Sequence, residues 1–278
     1  MMRTAAARAA AIVLALFVLL ALFAPLIAPY RPGDQLDIVA LQNQPPSARH
    51  LLGTDLYSRD VLSRLLYGAR VSLGIGLLGA LVALGLGALV GAASGYFRGL
   101  IDRAGMALVH IGLAVPRIFL IMVILALGYR PGPAALAVLL GLTGWFATSR
   151  LVRAEVLSLR ERQFVDAARG LGLGPWRLIG RHLLPNTRAT LLVSAALSVA
   201  NMMLLEASLS FLGIGVRPPV PTWGNMIADA RQHLLVSPWP AVAPGLAIAA
   251  VITALHVLVD AVAVASPPRN GLVGDTDH

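Results

Sequence analysis

Six runs of apolar residues, separated by polar segments, organise this chain. They cover residues 9–29, 71–95, 106–128, 133–148, 191–213 and 241–264. An α-helix needs about 20 apolar residues to cross the hydrocarbon core of a bilayer, and the short fourth run reaches that length by extending toward Leu151. The pattern therefore predicts an all-α fold, a polytopic transmembrane helix bundle of about six spans.

The same pattern divides the chain into three parts. Residues 1–70 hold the first run and an outer amphipathic segment, residues 71–265 hold the other five runs, and residues 266–278 form a tail. The first run follows Arg3 and Arg8, as in a secretory signal peptide, and residues 21–24 offer a loose cleavage site. Because the run is long for a signal peptide and further spans follow, we expect an uncleaved helix.

The composition excludes several classes of protein. Hydrophobic residues make up 58% of the chain and charged residues only 13%, about half the charged share of a soluble domain. All 22 basic residues are Arg, so the chain cannot form a Walker A phosphate loop, which requires Lys. There is no Cys, and the six His are scattered. We therefore expect no catalytic residue, no metal site and no cofactor in this chain.

The distribution of Arg predicts the orientation of the bundle. The segment between the fourth and fifth runs is rich in Arg and poor in acidic residues. The positive-inside rule places such a segment in the cytoplasm, and with six spans both termini are then cytoplasmic. This arrangement explains the net charge of +9 better than nucleic-acid binding does. Arg59, Arg64 and Arg70 then fall in an outer segment, which conflicts mildly with the rule.

Two outer segments carry helical patterns. Residues 58–70 predict a helix capped by Ser58, with Arg59, Ser63 and Arg64 on a polar face and Asp60 spaced to pair with Arg64. This helix either lies on the membrane surface or forms a docking surface for an external partner. In residues 216–240, apolar side chains recur at helical spacing between prolines. They predict a helix over the bundle or a substrate gate, with Asp229 facing away and Trp223 and Trp239 in a membrane-interface belt.

The Arg-rich segment 163–186 predicts two short helices joined by a Gly-rich bend. The first covers Gln163 to Leu171, with small and apolar side chains on one side: Phe164, Ala167, Ala168 and Leu171. Glycines and Pro175 then stop it, and a second helix runs from near Trp176 to before Pro185. Such a pair either enters a groove on another protein or rests on the inner leaflet, and the physical pattern leaves both open.

The same segment resembles the EAA loop of the membrane subunits of ABC importers. The matching positions, at the spacing of that motif, are Asp166, Ala167, Ala168, Gly172, Leu184 and Pro185. Asp166 stands where the family has Glu, and His182 where it has Ile. Further segments resemble the dipeptide and oligopeptide branch: LLGTDLYSRDVLSRLLYGARVSL (51–73), LVRAEVLSL (151–159), EASLSFLGIGV (206–216) and PTWGNMIADAR (221–231). The tail after Asp260 departs from that branch.

This resemblance implies a function and a set of partners. The chain is expected to be a permease subunit in a bacterial or archaeal plasma membrane, paired with a second permease subunit. Two ATP-binding subunits, which use ATP and Mg²⁺, would dock on the EAA-like positions, and an extracytoplasmic binding protein would deliver di- or oligopeptides or a related small solute. The resemblance thus favours insertion of segment 163–186 into a groove on an ATP-binding subunit over a position on the inner leaflet. The six motif residues would then be the element that couples the two proteins.

Polar residues inside the predicted spans are candidates for the transport pathway. They are Arg117, Glu206 and Asp260. A polar group at membrane depth either lines a pathway or bonds to a neighbouring helix, and the sequence leaves both roles open. A secondary transporter or channel would need inverted repeats or several midplane charges, and a membrane enzyme would need a catalytic cluster. We see neither pattern.

Overall fold

The computed structural model describes residues 5–128 and 131–265, and these ranges contain helices but no strand. The first helices are α1 Ala5–Leu22, α2 Ala24–Ile27, α3 Val61–Phe97, α4 Gly99–Ala114, α5 Arg117–Ala126, α6 Pro133–Leu142 and α7 Phe146–Arg160. They are followed by α8 Gln163–Gly170, α9 Pro175–Leu178, α10 Leu184–Asn186, α11 Arg188–Phe211, α12 Trp223–Ala230 and α13 Trp239–Ala265. A π-helical turn, Ile179–Leu183, links α9 to α10, and a 3₁₀ turn, Arg231–His233, follows α12.

Four helices are long and apolar enough to span a membrane: α1, α3, α11 and α13. The third and fourth apolar runs fall in two bent pairs. Helices α4 and α5 meet at 81°, and α6 and α7 meet at 47°. Pro116 precedes α5 and cannot continue a helix from α4, which accounts for the first bend. With each pair counted as one span, the bundle has six, and the predicted all-α membrane fold is confirmed.

Helix α3 is the centre of the bundle and packs against α4, α6, α7 and α11. Small residues on α3 allow this close packing. A methyl group added at Gly87 or Gly91 would lie within 3 Å of Thr148 or of the backbone oxygen of Ser149. Gly95 makes an equally close approach to Val156 on α7. Gly87, Gly91 and Gly95 therefore form a row of small residues along the contact between α3 and α7.

The opposite side of the bundle is formed by α1, α11, α12 and α13. Their shared core includes Trp223, Met226 and Val251, all nearly inaccessible to solvent. Helix α1 packs along α13 and α3, so it is an integral helix of the bundle. The tail at 266–278 and Arg3 lie outside the described residues, and their predicted placement is not addressed by the fold.

The start of α3 differs from the predicted amphipathic surface helix. No separate helix precedes the span, because α3 runs unbroken for 37 residues. Its N-cap is Asp60 and not Ser58: a carboxylate oxygen of Asp60 accepts from the Ser63 amide at 2.8 Å. Asp60 lies 2.9 Å from a ring nitrogen of His50 instead of pairing with Arg64. The polar face predicted to meet water is buried, since the outer loop folds over it.

Two tryptophans predicted for a membrane-interface belt make hydrogen bonds inside the protein. Trp223 is fully buried, and its indole N–H donates to the backbone oxygen of Leu65 at 3.0 Å. Trp239 donates to the backbone oxygen of Thr54 at 3.0 Å. Both rings therefore attach the outer segments to the bundle. Of the apolar positions predicted for the helix beyond Trp223, Leu235 lies outside α12 and is fully exposed.

Candidate functional site

The segment 163–186, here called the coupling segment, begins with helix α8. Its end is fixed by a left-handed glycine, because Gly172 adopts φ = 76°, a conformation that other residues rarely take. The Leu173 amide donates to the Ala168 oxygen at 3.2 Å and the Gly172 amide to the Arg169 oxygen at 2.9 Å, as in a Schellman cap. Pro175 then opens α9 in the first turn, where no amide donor is needed.

The two halves of the coupling segment share one apolar core with α3 and α7. Val165, Leu178 and Leu183 are completely buried and pack with Val152 and Val156 of α7. This core explains why short helices, which are marginal in isolation, hold a fixed shape here. The coupling segment is therefore packed directly against α3 and α7.

The exposed face of α8 differs from the predicted one at a single position. Phe164, Ala167 and Leu171 point outward as expected, but Ala168 is buried and belongs to the core. The carboxylate of Asp166 is exposed and pairs with Arg169 at 3.1 Å. The two motif alanines thus differ. The small side chain of Ala167 lies on the exposed face of α8, whereas Ala168 packs against the bundle.

The second half of the coupling segment extends further than predicted. Helix α10 contains Pro185, so the chain stays helical through this proline. Proline lacks an amide and its ring clashes with the carbonyl four residues earlier. The π-helical turn just before Leu184 widens the helix at that point, and the Leu184 amide donates back to the Ile179 oxygen. Leu184 is half-buried and Pro185 is exposed.

Aromatic and cationic contacts join the coupling segment to the last turn of α3. The rings of Phe97 and Trp176 pack edge to face with centroids 5.4 Å apart. The guanidinium of Arg169 lies 5.5 Å from the centre of the Tyr96 ring. Arg160 at the end of α7 donates to the Tyr96 backbone oxygen at 2.8 Å. We call these contacts the α3 joint; the sequence interpretation missed Tyr96 and Phe97.

Glu206 bonds to neighbouring helices. It is 1% exposed and accepts from the Ser210 hydroxyl at 2.7 Å, close to the hydroxyls of Ser72 on α3 and Thr222 before α12. Ser72 in turn accepts from the Trp223 amide at 3.0 Å. Of the two roles left open for Glu206, this geometry favours the interhelical one.

Arg117 stands between the two bent helix pairs. It donates to the Thr143 hydroxyl at 3.2 Å and to the backbone oxygen of Leu140, at the end of α6, and its guanidinium contacts the sulfur of Met202 on α11 at 2.9 Å. Asp260, by contrast, is exposed near the end of α13. The structure therefore does not bring together Arg117, Glu206 and Asp260.

A buried group of charges lies at the other end of the bundle. Its members, here called the outer ion cluster, are Asp55, Arg59, Arg64 and Asp229. Arg59 pairs with Asp55 at 2.7 Å and with Asp229 at 2.8 Å. Asp229 was predicted to face away from the bundle; instead its carboxylate pairs with both Arg59 and Arg64. The cluster attaches the outer loop and α12 to the beginning of α3.

Comparisons with known proteins agree with these features. Residues 83–270 match the family described as binding-protein-dependent transport system inner membrane component. Residues 2–46 match the N-terminal transmembrane domain of oligopeptide transport permease C. The first match contains the coupling segment, and the second contains α1.

Individual relatives extend the likeness over nearly the whole chain. The Di/tripeptide transport system permease protein DppC of Pseudomonas aeruginosa is 40% identical over 91% of this chain and 85% of its own length. The Glutathione transport system permease protein GsiD of Pectobacterium atrosepticum is 33% identical over 96% of this chain and 88% of its own length. An inward-facing structure of the MetNI methionine ABC transporter shares the fold, with a TM-score of 0.56 and 18% identity over 72% of this chain and 96% of that chain.

Proposed function

This chain belongs to the family of binding-protein-dependent transport system inner membrane components, and from that membership we propose that it imports di- and oligopeptides. It is a multi-pass permease subunit of an ABC importer in the inner membrane. The peptide class is supported by relatives whose names specify dipeptides, tripeptides and glutathione. The observation that carries the coupling part of the proposal is the exposed face of the coupling segment, which a packed core holds against α7.

The coupling segment is the docking site for ATP-binding subunits. Phe164, Ala167 and Leu171 present a face that is apolar apart from nearby Asp166, and the small Ala167 leaves room for a groove wall to approach. Because the chain has no Lys, it cannot supply a Walker A loop, and ATP with Mg²⁺ is bound and hydrolysed by those partners. We expect two of them, one for this chain and one for a second permease subunit.

Closure of the ATP-binding subunits moves the coupling segment as a rigid body. Its apolar core with α7 and the α3 joint carry that displacement into α7 and α3. The bundle then alternates between openings toward the two sides of the membrane. The outer loop and α12 lie at the far end of α3, where an extracytoplasmic binding protein releases peptide. Both termini are cytoplasmic in this arrangement.

Co-purification with the ATP-binding subunits tests the docking role. Ala167→Arg places a long cation on the exposed face of α8 without entering the core, and we expect it to abolish assembly. Ala40→Arg, an exposed Ala→Arg change on the outer loop, is the matched control and should assemble normally. Ala168→Arg is unsuitable alone, because that side chain is buried and the variant would disturb folding.

Peptide uptake by the reconstituted importer completes the test. We expect uptake to be lost for Ala167→Arg while the chain stays folded in the membrane. Assembly and ATP-driven uptake at the wild-type level would show that α8 does not dock the ATP-binding subunits, and the proposed coupling role would be wrong.

A further inference from the structure

A cavity of about 570 Å³ lies between α4 and α7, at the end of the bundle that carries the coupling segment. Helix α4 begins at Gly99, directly after the α3 joint, so the cavity lies at the same end of the bundle as that joint. The polar residues around the cavity are mostly cationic. The lining residues used below are Asp102, Arg103, Met106, His110, Arg150 and Arg153.

The charges of the cavity do not cancel. Arg153 and Asp102 form a two-point ion pair, with nitrogen–oxygen distances of 2.5 and 2.6 Å, and neutralise each other. Arg103 and Arg150 are exposed, and within the described ranges neither side chain forms an ion pair or a hydrogen bond. Two free guanidinium groups therefore face one cavity from adjacent helices. A planar guanidinium donates two parallel hydrogen bonds to a phosphate group, which makes paired arginines well suited to that ligand.

The two helices that form the cavity also carry exposed apolar side chains. Both helices belong to candidate spans. His110 is seven residues beyond Arg103, or about 10 Å further along α4. Leu108 and Ile111 on α4 and Leu151 on α7 are at least half exposed. A ligand whose phosphate reaches the arginines would therefore have exposed apolar surface further along α4.

We propose that this cavity binds the phosphate group of an anionic ligand, with Arg103 and Arg150 as the binding cations. The Arg153–Asp102 ion pair lines the cavity and holds α7 against α4. Basic pockets between transmembrane helices on the cytoplasmic side bind anionic headgroups, and the phospholipid of the inner leaflet supplies the phosphate at this depth. Inorganic phosphate is the second source that carries the same chemistry.

Native mass spectrometry of the assembled importer separates the two sources. The complex is reconstituted in phosphatidylcholine alone or with phosphatidylglycerol, and retained lipids are counted after gentle release. Inorganic phosphate is added in a separate arm, and protection against thermal unfolding is measured. The variants are Arg103→Gln, Arg150→Gln and the double change, with Arg103→Lys as the charge-retaining variant. Arg188→Gln, an exposed arginine at the same end of the bundle, is the matched control.

We expect the wild type to retain phosphatidylglycerol in preference to phosphatidylcholine. Each single Gln variant should weaken that retention about fivefold, the effect expected for one cation at a membrane surface. Arg103→Lys should keep part of the affinity, and Arg188→Gln should keep all of it. Protection by inorganic phosphate that disappears in the double variant would support the same site with a soluble ligand.

Three results would overturn the proposal. The first is equal retention of both lipids by the wild type together with no protection by inorganic phosphate. The second is an equal loss for Arg188→Gln, which would indicate general attraction between the lipid and a basic surface. The third is binding that occurs in the isolated chain but disappears in the assembled importer, because the second permease subunit would then cover this face.

Discussion

At the scale of single residues, the outer ion cluster shows how buried charges connect distant parts of the chain. Asp229 and Arg59 are 170 positions apart in sequence, yet their side chains pair at 2.8 Å. Burying a charge costs several kcal/mol unless a partner compensates it. Arg59 and Arg64 are 7% and 3% exposed, so they depend on the two aspartates.

Removing one aspartate should therefore weaken the outer end of the bundle. For Asp55→Ala we expect a loss of about 3 kcal/mol in the free energy of unfolding, since two buried guanidinium groups lose a partner. Asp34→Ala, an exposed aspartate of the same loop, should change it by less than about 0.5 kcal/mol. Thermal unfolding of the purified chain and limited proteolysis of the outer loop measure the difference. Equal behaviour of the two variants would contradict a role of the cluster in stability.

Which residues could be predicted from the sequence depended on how their signal is encoded. Asp166, Ala167 and Gly172 were found because they have a fixed local spacing, and the structure adds a reason for Gly172 in its positive φ. Asp229 was placed on the wrong face, because its partners come from a loop far away in sequence. Tyr96 and Phe97 were missed for the same reason, since their ring contacts form only when α8 and α9 fold back onto α3.

At the scale of elements, the contact between α3 and α7 depends on glycine. The oxygen of Ser149 would lie 2.5 Å from a methyl group at Gly91, closer than real contacts allow, whereas nothing lies within 4 Å of one at Gly85. The two glycines are on the same helix and differ only in what faces them. They therefore form an internal comparison for helix packing.

Gly91→Ala should destabilise the isolated chain by about 1–3 kcal/mol, because the two helices must separate to admit the methyl group. Gly85→Ala should be neutral or stabilise it by up to about 1 kcal/mol, since Ala favours a helix over Gly. Unfolding in detergent of both variants, measured side by side, checks this. A similar loss in both would mean that helix propensity, and not the contact with α7, governs these positions.

The α3 joint makes a prediction about coupling. Phe97→Leu removes the ring contact with Trp176 while leaving the exposed face of α8 intact, so the ATP-binding subunits should still co-purify. An aromatic pair contributes about 1 kcal/mol, and we expect the peptide transported per ATP hydrolysed to fall about fivefold. Phe97→Tyr keeps the ring and should restore the ratio. Unchanged transport per ATP in Phe97→Leu would exclude the joint from force transmission.

The helices themselves were largely predictable, but their ends and bends were not. Long apolar runs identify spans because nothing else satisfies a backbone in lipid. A helix leading into the second span was predicted over residues 58–70, but the burial of its polar first turns could not be derived, because only the outer loop buries them. The bend between α4 and α5 follows Pro116, a local signal, whereas the contacts of Arg117 with α6 and α11 form only in the folded bundle, and no local pattern reveals them.

At the scale of the whole molecule, the absence of Cys makes the orientation directly testable. We expect Val39→Cys on the outer loop to react with a membrane-impermeant maleimide in intact cells, because Val39 is 94% exposed. Leu171→Cys in the coupling segment, 81% exposed, should react only after the membrane is permeabilised. The reverse pattern would invert the predicted topology and place the coupling segment outside.

The length of α3 determines how far its two ends move when the helix tilts. Its 37 residues form a helix about 55 Å long, which exceeds the thickness of the hydrocarbon core of a bilayer by roughly 25 Å. One end is fastened by the outer ion cluster and the other by the α3 joint. If a straight helix of this length tilts by about 10° around its middle, its two ends move by about 5 Å in opposite directions. We therefore expect α3 to act as a lever, through which a displacement at the end that carries the coupling segment reaches the opposite end of the bundle.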